Sequence, residues 1–192
     1  MKLEGLKINF LGDSITEGVG ASSADTIYHA VLKKEAKLCE ARNYGISGTR
    51  FAVQKGTPER PKDDYVDVNS FSERFDKMDD DADVVVVFGG TNDSWTENTP
   101  GEIIYEKWSE DDLRFVLPGI SCFMSKLTET VPKEKIHFII NTGLREEISC
   151  GIIKICNHYG VGFTVLSDID KKDGHPTYRG MVSIKNQVLL NI

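Results

Sequence analysis

Uninterrupted runs of apolar residues recur along the chain and predict the strands of a buried sheet. In the clearest of them, residues 84–88, five apolar side chains follow one another without a polar position. A strand that does not alternate is covered on both faces, which is typical of the interior of a parallel sheet. Runs at 7–11, 136–140 and 162–166 predict further strands, and the segment 41–44 predicts a brief one.

Segments with helical periodicity lie between these strands. Apolar residues recur at every third or fourth position over about 25–40, from 109 to 127, over 148–159 and around 181–188. Pro118 lies inside the second of these helices, where a proline is expected to kink the helix or divide it in two. Strands that alternate with helices imply right-handed crossovers, so we predict an α/β fold in which helices cover both faces of one parallel sheet.

The segment 51–83 is the least regular part of the chain. Two prolines mark a loop, and the spacing of Phe71 and Phe75 predicts a short helix before the strand at 84–88. The chain contains no internal repeat and no linker-like stretch, so we expect a single domain that spans residues 1–192.

Composition and charge narrow the classes of function. Of the 192 residues, 40% are hydrophobic and 28% are charged, which is typical of a globular protein. The net charge of −7 argues against a nucleic-acid partner, because contacts with phosphates need a basic surface. No apolar run approaches the roughly 20 residues that span a bilayer, and the first residues lack a secretory signal, so we expect a cytoplasmic protein. No two cysteines form a Cys-x-x-Cys pair, and we expect reduced, structural thiols at Cys39, Cys122, Cys150 and Cys156.

Polar, glycine-rich segments follow the predicted strands at their carboxyl ends. Residues 12–18 follow the first strand, residues 43–48 the second and residues 89–93 the third. The segment 173–176 lies between the fifth strand and the last helix. Because the carboxyl ends of parallel strands meet at one edge of a sheet, we expect these segments to form one ligand site.

These four segments resemble the blocks of the SGNH hydrolases, the family of the GDSL esterases and lipases, in the same order and across nearly the whole chain. The resemblance implies a three-layer α/β/α sandwich with a five-stranded parallel sheet in the flavodoxin-like order. It implies a carboxylic ester hydrolase that acts on a small-molecule ester and uses no metal and no cofactor. By the same resemblance Ser14 is the nucleophile, His175 the general base, and Gly48 and Asn92 form the oxyanion hole.

The chemistry of these residue types agrees with such roles. A serine hydroxyl is a poor nucleophile until a neighbouring base takes its proton, and histidine is suited to that task near neutral pH. Attack on an ester places negative charge on the former carbonyl oxygen, which the N–H of Gly48 and the amide of Asn92 would stabilise together with the N–H of Ser14.

The acid that would orient His175 departs from the family pattern. The family usually places it three residues before the histidine, where this sequence has Lys172, and an ammonium group cannot accept a hydrogen bond. Asp173 is the preferred candidate, because the loss of one loop residue would keep the Asp-Gly pair in place. Asp170 is the second candidate, and a Ser–His dyad oriented by a main-chain carbonyl is the third.

Two other functions are compatible with the same residues. An acyltransferase would use the same serine with an alcohol in place of water, and a ligand-binding protein would have lost activity together with the usual acid. Segments 51–75 and 94–108 are expected to form the substrate pocket, in which Trp95 and Trp108 either line the site or cover the core. We expect a short acyl ester, with acetyl groups on a carbohydrate as the favoured example.

Overall fold

The computed structural model describes residues 2–53, 70–96 and 98–192. Within them, five parallel strands form one sheet in the order β2-β1-β3-β4-β5. This is the flavodoxin-like order, in which the chain reverses its direction of travel across the sheet at β1 and β3. The strands are β1 (Lys7–Gly12), β2 (Glu40–Gly45), β3 (Val84–Phe88), β4 (Ile136–Ile140) and β5 (Gly162–Val165).

Helices cover both faces of this sheet, as the sequence predicts. α4 and α5 pack on one face, and α2 and α6 pack on the other. A two-stranded antiparallel ribbon, β6 (Lys171–Lys172) and β7 (His175–Pro176), lies outside the main sheet and was not predicted. The helices are α1 (Ser14–Glu17), α2 (Tyr28–Ala36), α3 (Thr91–Trp95), α4 (Val116–Thr130), α5 (Glu146–Tyr159) and α6 (Tyr178–Leu189).

The position of β3 explains its unbroken apolar run. Val85 and Val87 belong to the hydrophobic cluster beneath α4 and α5. Val84, Val86 and Phe88 belong to the cluster beneath α2 and α6. Each side chain of β3 therefore enters one of two cores, which leaves no position for a polar residue.

The first long helix is shorter than predicted at both ends. Ser23 caps a turn of 3-10 helix at Ala24–Thr26, and α2 begins only at Tyr28. The helix ends at Ala36 because Lys37 adopts a left-handed conformation with φ of 54°. Residues 37–39 form the connection to β2 instead of a last helical turn.

The helix predicted from residue 109 begins later, at Val116. Only a turn of 3-10 helix at Asp112–Arg114 precedes it, and Phe115 separates the two elements. Pro118 consequently lies in the first turn of α4, where an α-helix has no intrahelical acceptor for the N–H that proline lacks. The proline therefore favours the start of the helix, and the predicted helix is divided at Phe115 rather than kinked at Pro118.

Two further expectations are corrected by the structure. The helix predicted through Phe71 and Phe75 consists of two separate 3-10 turns, with Arg74 between them. All four cysteines are free thiols, but Cys39 and Cys150 are exposed, so only Cys122 and Cys156 are buried. In the described ranges, no helix is long and apolar enough to cross a membrane.

Candidate active site

Ser14 lies two residues after the end of β1, where the strand passes into a short helix. It is the first residue of α1, and Asp13 caps this helix by accepting a hydrogen bond from the N–H of Ile15 at 3.0 Å. Asp13 is fully buried, and burial raises the pKa of its carboxyl group to about 6. Ser14 itself is only half-buried, so its hydroxyl group is available to a ligand at the sheet edge.

His175 lies within hydrogen-bonding distance of Ser14. Its Nε2 atom is 2.9 Å from Oγ of the serine, although the two residues are 161 positions apart in the sequence. The imidazole is carried by the β6–β7 ribbon, in which Asp173 and Gly174 form the turn with φ values of 51° and 80°. Two left-handed residues in a two-residue turn are typical of a type I′ hairpin, for which Asp-Gly is a preferred sequence. The Asp-Gly dipeptide is therefore the sequence signal from which the unpredicted ribbon could have been found.

The other ring nitrogen of His175 faces a main-chain oxygen. Nδ1 lies 3.3 Å from the carbonyl oxygen of Asp173, and no ion pair joins His175 to a carboxylate within the described part of the chain. The Asp170 carboxylate instead accepts a hydrogen bond from the Thr177 hydroxyl at 2.5 Å. The contact thus involves Asp173, the preferred candidate, but through its carbonyl oxygen and not its carboxylate. This is the third alternative, a Ser–His dyad oriented by a main-chain carbonyl.

The two predicted oxyanion donors lie beside one another. Gly48 is exposed and has φ of 80°, and a Cβ atom there would meet nothing within 4 Å. The backbone conformation rather than crowding therefore requires glycine at this position. Asn92, in α3, donates a hydrogen bond from Nδ2 to the carbonyl oxygen of Thr49 at 3.0 Å. This bond joins the amide of Asn92 to the residue that follows Gly48.

Asp93 is a site residue to which sequence analysis assigned no role. It is fully buried, and its carboxylate accepts hydrogen bonds from the N–H groups of Phe51 at 3.1 Å and Ala52 at 2.9 Å. These bonds fasten α3 to the loop that carries Gly48. Burial raises the pKa of Asp93 to about 6, and the two N–H donors oppose this rise.

The raised pKa of Asp93 predicts a pH-dependent cost to folding. The folded protein keeps a proton on this carboxyl up to about pH 6, whereas the unfolded chain releases it near 3.8, so the free energy of unfolding falls as the pH rises through that interval. Asp93→Asn removes this titration. The difference in free energy of unfolding between Asp93→Asn and wild type should therefore shift in favour of the variant by about 2–3 kcal/mol from about pH 4 to pH 7. Urea denaturation at both pH values measures this difference, and Asp80→Asn, at an exposed position, is the control. The same difference between Asp93→Asn and wild type at both pH values would contradict the prediction.

A network of polar side chains, of which Asn141 and Thr91 are buried, anchors the ribbon that carries His175. Nζ of Lys171 donates to Oδ1 of Asn141 at 3.1 Å and to the carbonyl oxygen of Thr142 at 3.0 Å. Asn141 in turn donates to the hydroxyl of Thr91 at 3.0 Å, in the first turn of α3. Burial lowers the pKa of Lys171. The network links the ribbon to the carboxyl end of β4 and to the helix of Asn92.

Trp95 lies at the site, whereas Trp108 does not. The indole of Trp95 is 49% exposed, and its ring centre is 6.0 Å from that of His175 in an edge-to-face arrangement. A Cβ atom on Gly174 would lie 2.4 Å from this indole, so the ribbon packs directly against it. Trp108 donates from Nε1 to the carbonyl oxygen of Ile104 at 2.6 Å and so supports its own loop.

The contact between Trp95 and the ribbon gives a testable result for Gly174→Ala. The new methyl group cannot occupy the space of the indole, so either the half-exposed indole or the ribbon with His175 must move. Because the two pack against each other, kcat of a reaction that uses His175 should fall about 10- to 100-fold. Gly143→Ala is a matched control, because Gly143 has a similar φ of 77° but open space around its Cβ position. Both variants should lose similar stability in thermal denaturation. An equal loss of kcat in the two variants would contradict the role of the contact.

A cavity of about 380 Å³ adjoins His175. Val19, Pro176 and Tyr178 contribute its apolar walls, and Lys172 contributes a cation. Tyr178 is 54% exposed, so an accessible aromatic ring borders the cavity. The pocket predicted from segments 51–75 and 94–108 falls in part outside the described residues.

Comparisons with known proteins find a family model and several solved structures that are similar to this chain. The model of the GDSL-like lipase/acylhydrolase family matches residues 21–192, which include Gly48, Asn92 and His175 and begin just after Ser14. A protein of Bacteroides ovatus described as a GDSL-like lipase is 29% identical, with a TM-score of 0.83 and coverage of 97% of each chain. Its counterpart from Bacteroides uniformis is 28% identical, with a TM-score of 0.85 and coverage of 97% of this chain and 94% of that one.

More distant structures share only the fold. A family two carbohydrate esterase of Clostridium thermocellum is 19% identical, with a TM-score of 0.63. The alignment covers 97% of this chain but 63% of that one. Among curated proteins, none matches the sequence.

Proposed function

Because the chain belongs to the GDSL-like lipase/acylhydrolase family, we propose that it hydrolyses carboxylic esters through an acyl-enzyme on Ser14. The observation that carries this proposal is the 2.9 Å contact between Oγ of Ser14 and Nε2 of His175. A main-chain carbonyl only accepts hydrogen bonds, so the contact of Asp173 with Nδ1 favours a proton on Nδ1. Nε2 is then free to accept the proton of the serine hydroxyl.

The first half of the reaction acylates the serine. Oγ of Ser14 attacks the ester carbonyl while its proton passes to Nε2 of His175. The N–H of Gly48 and the amide of Asn92 stabilise the charge on the carbonyl oxygen. The amide has two N–H groups, of which one donates to the carbonyl of Thr49, so the other is left for the oxyanion. Protonated His175 then gives its proton to the departing alcohol.

The second half releases the acid. Nε2 of His175 takes a proton from water, which attacks the acyl group on Ser14 and forms a second tetrahedral intermediate. The same donors hold the oxyanion, and the proton returns from His175 to Oγ of Ser14 as the acid leaves.

In this mechanism Asp173 orients His175 through its main-chain oxygen. The residue type then matters for the turn, because Asp173 has a left-handed conformation, which aspartate and asparagine tolerate better than most residues. Asp173→Asn should therefore change kcat by less than about threefold, since asparagine preserves both the turn and the carbonyl. Steady-state kinetics would decide, with Asp170→Asn measured in parallel. A loss of 100-fold or more in Asp173→Asn alone would assign the role to the carboxylate.

For the substrate we propose a short acyl ester carried by a carbohydrate. A cavity of about 380 Å³ is lined by His175 but not by Ser14. Its volume is at the small end of the range for ligand pockets, which favours a small group beside the base. Trp95 and Tyr178 present exposed aromatic rings beside the base, and such rings provide apolar faces against which a sugar ring can pack.

The experiment that tests the function combines turnover with covalent trapping. Wild type should release 4-nitrophenolate from 4-nitrophenyl acetate faster than from the octanoate, and acetate from acetylated xylan. A fluorophosphonate should label Ser14 and abolish turnover, which mass spectrometry of the peptides detects. Labelling at another residue, or turnover that survives labelling of Ser14, would contradict the acyl-enzyme. Faster turnover of the octanoate would contradict the short-acyl preference.

A further inference from the structure

A buried arginine lies beneath the loops of the candidate site. Arg74 is only 5% exposed and sits between the two 3-10 turns that precede β3. Its Nη1 donates to the carbonyl oxygen of Tyr44 at 2.5 Å, and its Nη2 donates to that of Gly12 at 2.5 Å. Nη2 also donates to the hydroxyl of Thr49 at 3.1 Å. One guanidinium thus joins the ends of β1 and β2 to the loop after β2.

Two of the three acceptors, Gly12 and Thr49, lie close in sequence to groups of the proposed mechanism. Gly12 ends β1 two residues before Ser14, and Thr49 directly follows Gly48. Thr49 is held from three sides, because its hydroxyl donates to Ile46 at 2.7 Å and its carbonyl accepts from Asn92 at 3.0 Å. Its hydroxyl oxygen accepts from Arg74. The guanidinium is therefore connected to both oxyanion donors through one intervening residue, Thr49, and to Ser14 through two, Gly12 and Asp13.

The chemistry of arginine suits this position. A guanidinium is planar and rigid and directs several N–H groups at fixed angles, whereas a lysine ammonium is a single point on a flexible stem. Burial lowers the pKa of Arg74 to about 10, and the charge of Asp13 opposes this fall. The group therefore remains charged near neutral pH, and its hydrogen bonds to main-chain oxygens are of the stronger, charge-assisted kind.

We propose that Arg74 is a positioning residue that sets the placement of Ser14 relative to the oxyanion donors Gly48 and Asn92. This inference rests on the proposed function. Arg74 is buried below the loops and acts through Gly12 and Thr49. Its loss should therefore weaken stabilisation of the tetrahedral intermediate more than binding of the ester.

A pair of substrates that differ in one atom measures this placement. In 4-nitrophenyl thionoacetate sulfur replaces the carbonyl oxygen, and because sulfur is a weak hydrogen-bond acceptor this ester gains little from an oxyanion hole. The ratio of kcat/KM for the oxygen ester to that for the sulfur ester reports how well the donors are placed. A purely structural role for Arg74 would not change the ratio among folded variants.

Arg74→Met and Arg74→Lys should lower kcat for the oxygen ester about 10- to 100-fold, with KM within about threefold of wild type. The oxygen-to-sulfur ratio should fall by at least about fivefold, in the direction of Asn92→Ala. Thr49→Val leaves the arginine in place but removes its hydroxyl acceptor, and it should lower the ratio even if the Arg74 variants do not fold.

Arg42→Met is the matched control, because Arg42 is a largely buried arginine in β2 that forms ion pairs with Glu40 at 2.6 Å and Asp81 at 2.5 Å. It should lower Tm without changing the ratio. If the folded Arg74 variants and Thr49→Val turn over the ester with an unchanged oxygen-to-sulfur ratio, the positioning role of Arg74 is overturned while the proposed function stands. Absence of turnover by wild type would contradict the proposed function, and the positioning role with it.

Discussion

Ser14→Ala should lower kcat for 4-nitrophenyl acetate by about 10⁴- to 10⁶-fold. The substitution removes the atom that forms the acyl-enzyme but leaves Gly48 and Asn92 in place, so a small rate above that of buffer should remain. The folded state should be retained, because Asp13 and not Ser14 caps α1. Initial rates at saturating substrate, with the thermal denaturation of both proteins, measure the effect.

A serine far from the site provides the control for this substitution. Ser149 is half-buried on α5, and among the described residues its hydroxyl donates to the carbonyl oxygen of Glu146, so Ser149→Ala should retain wild-type activity. Equal rates for wild type and Ser14→Ala would remove the nucleophile from the proposed mechanism. A comparable loss in Ser149→Ala would show that activity reports on folding.

His175→Ala should lower kcat by about 10³- to 10⁵-fold at neutral pH. Without an imidazole 2.9 Å away, the hydroxyl of Ser14 has no base to take its proton. The cavity next to His175 is large enough for a free imidazole molecule. Added imidazole should therefore restore part of the activity of His175→Ala but none of the activity of Ser14→Ala.

His158 serves as the matched control for the base. It lies in the last turn of α5 and stacks on Tyr105 at a ring distance of 3.7 Å. His158→Ala should keep wild-type kcat. Full activity of His175→Ala without imidazole would exclude the residue as the general base.

β1, β3 and β4 were predictable from the sequence because both faces of the sheet are buried at these strands. An unbroken apolar run such as 84–88 has no other common environment in a globular chain of this size, and the structure confirms this strand at the predicted residues. The convergence of the glycine-rich segments followed from the same reasoning, since parallel strands deliver their following loops to one edge. The start of α4 was not predictable in this way, because the apolar pattern continues past Phe115 on either side of the break.

The residues that hold the site together could not be found from local pattern. Arg74 contacts the carbonyl of Gly12 across 62 positions of sequence, and Asp93 contacts the N–H of Phe51 across 42. Such bonds depend on the packing of the finished fold, and neither side chain stands in a motif that specifies its partner. The ribbon that carries His175 is different, because the Asp173–Gly174 dipeptide is a local signal for the turn.

The separation of the β6–β7 ribbon from the main sheet has a consequence for thermal behaviour. Only two residues pair on each side of its turn, and a two-stranded ribbon has little stability of its own. The ribbon can therefore open with a free energy below that of global unfolding. Its amide protons should exchange with solvent sooner than those of β3. On warming, catalysis should decline before the circular dichroism of the sheet changes. We therefore expect the upper temperature limit of activity to be set by the β6–β7 ribbon, residues 171–176, and not by the core.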